Sequence, residues 1–158
     1  MSSTGLDVFD KTLQTTHIWL GEIMAEMGPD RQRAYHALRA VLHALRDRLP
    51  IDDSAHLAAQ LPLLVRGIYY DGWHPRPGTS RERKQEAFVA HIQDGLQGIR
   101  PFDPKQAAQV VFKVIARHVS PGEWQKVKHA LPQEIQVLWP EDQSTAAVGD
   151  GAGAAARS

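Results

Sequence analysis

Seventy residues after most apolar positions between Ala37 and Tyr69, the sequence presents another apolar residue. Ala37 meets Ala107, Val41 meets Val111, Leu61 meets Leu131 and Pro62 meets Pro132. Leu42 meets Phe112, Leu45 meets Ile115, Val65 meets Ile135 and Tyr69 meets Trp139. The register runs ungapped over thirty-three residues. Two unrelated amphipathic helices would share some of this agreement, but not a Leu-Pro pair at the same place in both. Such self-similarity points to duplicated units, each with too small a core to stand alone, packed against one another.

Within each unit the spacing is helical. Ala34, Leu38, Val41, Leu42, Leu45 and Leu49 form one stripe between Asp30, a natural N-cap, and Pro50, a stop. A preceding helix over about 6–27 is expected to turn Phe9, Leu13, Leu20, Ile23 and Met27 inward and to end at Gly28-Pro29. "IDDSAHLAAQ", with its aspartates as caps, and "LPLLVRGIYY", with Pro62 in its first turn, read as two short helices. "DGWHPRPGTS" breaks the chain.

The plan then recurs. Ser80 to Leu96 reads as a helix with Phe88, Ile92 and Leu96 as its stripe. Asp103-Pro104 opens another, whose body "AAQVVFKVIARHV" is apolar on more than one side and is expected to be the most buried. Ser120-Pro121 caps a short helix, and "LPQEIQVLW" closes the fold. The fold class is therefore all-α: about eight helices as two tandem four-helix repeats packed into one domain. That domain covers residues 5–140, with repeat one about 6–73 and repeat two about 80–139. Residues 141–158, small, polar and glycine-rich, are expected to form a disordered tail.

Composition excludes several function classes. Lys plus Arg equals Asp plus Glu at 18 each, so no global field favours nucleic acid or an anionic membrane. The chain has no cysteine, which removes disulfides, thiolate metal sites and cysteine nucleophiles. No apolar run approaches the ~20 residues that span a bilayer, and the N-terminal residues do not read as a signal peptide.

"AYHALRAVLHALRDRLP", followed by "AAQLPLLVRGIYYDGWHP", resembles the bacterial family called domain of unknown function 2267. "VFKVIARHVSPGEWQKVKHALPQEIQVLWP" is similar to that family's C-terminal pattern, and the resemblance covers roughly residues 10–140. It implies an all-helical cytoplasmic bacterial protein without an assigned activity, and it carries over no catalytic residue.

The residues themselves offer little chemistry. Gly-x-Ser-x-Gly and His-Glu-x-x-His are absent, Ser54 and Ser120 stand where helix caps are needed, and "GDGAG" at 149–153 lies in the tail. His43 and Asp47, four apart, suit an i,i+4 contact better than a metal fragment. The expectation is a non-enzymatic protein-binding or assembly module without cofactor or metal. Its partner would be an unknown protein or a second copy, not nucleic acid or membrane. The contact residues are Tyr70, Trp73 and His74, which the seventy-residue register leaves unexplained. Arg39, His43 and Arg46 form a second, cationic surface, or else a solvated exterior balanced by neighbouring aspartates. Asp71-Gly72 reads as a helix stop and Tyr69 as a core plug. The alternative is a small-molecule or metal-binding protein using a pocket between the repeats, lined by His17 and His91.

Overall fold

The structure, a computed structural model, describes residues 3–75, 83–100 and 102–140. Those residues form eight helices and no strand: α1 Asp7–Met27, α2 Arg31–Arg48, α3 Ile51–Ala59, α4 Leu63–Tyr70, α5 Gln85–Gly95, α6 Pro104–His118, α7 Pro121–Ala130 and α8 Gln133–Gln136. The expected tail at 141–158, the break around Pro77 and Gly78, and Ser80 lie outside the described residues.

Side-chain caps start three of the eight helices where the sequence places them. The Asp30 carboxylate accepts the Arg33 amide at 3.2 Å, Asp103 accepts Lys105 at 3.0 Å, and the Ser120 hydroxyl accepts Glu123 at 3.3 Å. Helix α3 differs, because Pro50 occupies its N-cap and no side chain caps it; Asp52 and Asp53 sit in its first turn, at the positive end of the helix dipole. Helix α5 begins at Gln85, later than expected, and Arg83 and Lys84 precede it. Its start is fixed from a distance: the Gln85 amide donates to Glu134 Oε2 and its side-chain amide to the Glu134 carbonyl, both at 2.9 Å.

Helix α2, rather than α6, is the most enclosed. Its buried residues include four alanines, Arg46 and Arg48, and it packs on α1, α4, α5 and α6. Apolar character alone favours α6, but small side chains let four neighbours close around α2. The tightest approach is at Gly95 of α5, where an added Cβ would stand 2.9 Å from the Ala40 Cβ. On the other side of the fold, Phe112 packs among Phe88, Trp124 and Trp139, and the two indoles stack at 4.1 Å.

Helix boundaries keep the seventy-residue spacing. Helices α3 and α7 start at 51 and 121, α4 and α8 at 63 and 133, and α2 and α6 end at 48 and 118. Arg66 donates to the Leu61 carbonyl at 2.9 Å, and Gln136, seventy positions on, donates to the Leu131 carbonyl at 2.8 Å.

The inner half of α1 buries Thr16, Trp19, Leu20 and Ile23. It is tied to α6 by Glu22, which accepts from His118 at 2.9 Å, and by Glu26, which pairs with Lys113 at 2.9 Å. Phe9 and Leu13 depart from the expected inward stripe, being 46% and 36% exposed. They lie on the same seam as Leu20 and Ile23, but no residue of α1 before Thr16 is buried.

Candidate functional site

A helix end leaves its last carbonyls without intrahelical partners, and α4 ends beside polar side chains of α2. Asp71 closes the helix through its amide, which reaches the Gly67 carbonyl at 3.0 Å, and Gly72 turns the chain with φ +73°. The freed carbonyls are taken up by α2. Arg46 Nη1 donates to the Tyr69 carbonyl at 2.9 Å and to the Asp71 carbonyl at 3.0 Å, while His43 Nε2 donates to the Ile68 carbonyl at 2.7 Å. A cation at a helix C-terminus also complements the dipole.

Arg46 is itself held. Its Nε donates to Asp47 Oδ1 at 2.9 Å, and Asp47 Oδ2 lies 3.5 Å from His91 Nε2 on α5. Burial lowers the His43 pKa below its ordinary value, and the nearby Arg46 and Arg39 guanidiniums add to this against the opposing hydrogen bond to the Ile68 carbonyl. Burial also lowers His91, in spite of Asp47. Both imidazoles are therefore neutral at pH 7, and the contact to the Ile68 carbonyl fixes the His43 tautomer with its proton on Nε2. Beneath them Tyr69 is wholly buried, its hydroxyl bonded to Ser54 Oγ at 2.5 Å and to the Ser54 carbonyl at 3.2 Å. Burial pushes that hydroxyl well above its ordinary range, so it remains neutral. Ser54 thus serves Tyr69 rather than capping α3.

Above this clamp lies the aromatic segment. Tyr70 stacks on Trp73 with centroids 5.4 Å apart and planes 25° from parallel, and the Trp73 amide donates to the Tyr70 carbonyl at 3.0 Å. Both rings are half-buried, and His74 is exposed. Arg39 reaches Asp71 at 3.6 Å in a solvent-facing pair, worth about 0–1 kcal/mol.

The two surfaces expected from the sequence are thus one site. Tyr70, Trp73 and His74 form its outer part, Arg39 its edge, and His43 and Arg46 its support. Arg46, 7% exposed, is neither a contact surface nor a solvated exterior. The expected i,i+4 contact of His43 with Asp47 is replaced by His43 to Ile68 and Asp47 to Arg46 and His91. Sequence reasoning missed the supporting roles of Ser54 and Asp47: Ser54 meets Tyr69 15 positions away, and Asp47, besides its neighbour Arg46, meets His91 44 positions away, beyond any local spacing. For the alternative site, His17 is exposed on α1 and His91 is half-buried against Asp47. Among the described residues, no three His, Asp or Glu side chains gather to hold a metal, and no helix is long and apolar enough to cross a membrane.

These features define an all-α protein in which one helix end, carrying a half-exposed aromatic pair, is clamped by a buried arginine. The chain belongs to the family described as an uncharacterized conserved protein (DUF2267), whose model matches residues 16–138. The match takes in the clamp, the aromatic segment and all of α2 to α8. No match is found among curated proteins.

Proposed function

We propose that the protein is a non-enzymatic binding or assembly module of the bacterial cytosol, built by duplication of a four-helix unit, and that it engages a protein partner through Tyr70, Trp73 and His74. The observation that carries this reading is the stacked Tyr70–Trp73 pair, half-exposed on a backbone that α2 holds at three carbonyls. Aromatic side chains presented on a rigid support bind with little loss of conformational freedom. The support also belongs to one half only. Seventy residues after Arg39, His43, Arg46 and Asp47 stand Gln109, Lys113, Ala116 and Arg117, which cannot rebuild the clamp. Under duplication, a feature kept in one unit and absent from the other is not required by the shared fold. Co-purification from the native host with the parent and with Trp73→Ala tests the reading: a partner held by the first and lost by the second supports it, and equal recovery overturns it.

A further inference from the structure

A second surface stands apart from the aromatic segment in chemistry. Leu6, Phe9, Leu13, Thr16, Leu20, Ile23 and Met27 follow one another at alternating steps of three and four, the spacing of a helix–helix seam. Its inner half is packed in the bundle, and its outer half is open: Leu6 is 52% exposed, and Phe9 and Leu13 remain open as described above. Helix α4 continues the apolar surface. The Leu64 amide donates to Thr12 Oγ1 at 2.9 Å, which sets the exposed Leu63 and Leu64 beside the outer turns of α1 and the exposed Val8.

A whole aromatic side chain offers about 150–250 Å² and a Leu or Val somewhat less, so six half-exposed residues leave roughly 500 Å² of apolar surface. That is near the top of the ~300–600 Å² found for the largest patch on a monomer. It also suits the apolar centre of an interface taking about 800 Å² from each partner, with a polar rim supplying the rest. We infer that this face joins two copies of the chain, the outer turns of α1 lying antiparallel across a twofold axis.

The occupant follows from the area and shape of the face. The face pairs a projecting helix with a shelf at Leu63 and Leu64, and a twofold axis sets each copy's helix against the other's shelf, covering both parts at once. A formal net charge of +0 adds no repulsion between copies. Most of the face also precedes residue 16, where the family match begins, so the inference does not rest on family membership.

Sedimentation equilibrium on the full chain, from micromolar to high micromolar concentration, tests the inference. The parent is expected to approach twice the chain mass, and Phe9→Glu to sediment as a single chain with an unchanged helical circular-dichroism spectrum, since Phe9 lies outside the core. Trp73→Ala is expected to dimerise like the parent. A parent that stays at the chain mass overturns the inference, as does a Phe9→Glu variant that still dimerises. Dissociation by Trp73→Ala with Phe9→Glu intact would move self-association to the aromatic segment and likewise overturn it, without touching the proposal for that segment.

Discussion

Replacing Arg46 with methionine keeps most of the buried stem and removes every hydrogen-bond donor. In the parent, Nη1 serves the Tyr69 and Asp71 carbonyls and Nε serves Asp47. A hydrogen bond from a charged donor contributes about 1.5–3 kcal/mol. Tyr69 is buried, so its carbonyl loses its partner outright; the Asp71 carbonyl and the 31%-exposed Asp47 carboxylate recover part of theirs from water. The expected net loss is about 2–4 kcal/mol. For a chain of this length each kcal/mol lowers Tm by about 2–4 °C, so Tm should drop by roughly 5–15 °C. Urea unfolding followed by circular dichroism gives the free energy, and tryptophan emission reports whether Trp73 becomes wetter in the folded state. A loss below about 0.5 kcal/mol, the range of ordinary surface substitutions, would refute the clamp.

Gly95→Ala should destabilise by about 1–3 kcal/mol although alanine is the better helix former, because its Cβ would meet Ala40 at 2.9 Å; a rise in Tm would mean that α2 and α5 are not in close contact there. Acid should weaken the fold through His43 and His91. Both have folded pKa values below the ordinary 6.5, so between the folded value and 6.5 the unfolded chain binds more protons, and stability falls as pH drops through that window. Unfolding measured from pH 7.5 to 5 should show this slope, reduced in His43→Gln; an equal slope in that variant would remove His43 as a cause.

What the sequence made legible was local. Asp30, Asp103 and Ser120 cap helices because a short polar side chain three or fewer residues from an open amide needs no tertiary help. Tyr69 was readable as a plug because its register partner Trp139 is apolar too. Arg46 was not readable as a clamp: periodicity places it beside the polar, half-buried Arg39 and His43 of α2, and only the end of α4, more than twenty positions later, gives its guanidinium carbonyls to hold. The late start of α5 was hidden for the same reason, since Glu134 supplies the contact from the last helix. Phe9 and Leu13 show the converse limit. Spacing identifies an apolar face, but what covers that face depends on where the neighbouring helices stop.

The most direct test of the central claim compares partner recovery by three versions of the chain from the native host: the parent, Trp73→Ala and Val137→Ala. Val137 is 73% exposed and belongs to the second half, so its variant controls for unspecific loss of apolar surface. Trp73 is half-buried in a single aromatic stack, worth about 0.5–1.5 kcal/mol beyond its area, so its variant should stay folded. A partner is expected to be retained by the parent and Val137→Ala and lost, with the fold intact, from Trp73→Ala. Equal recovery by all three would contradict the claim.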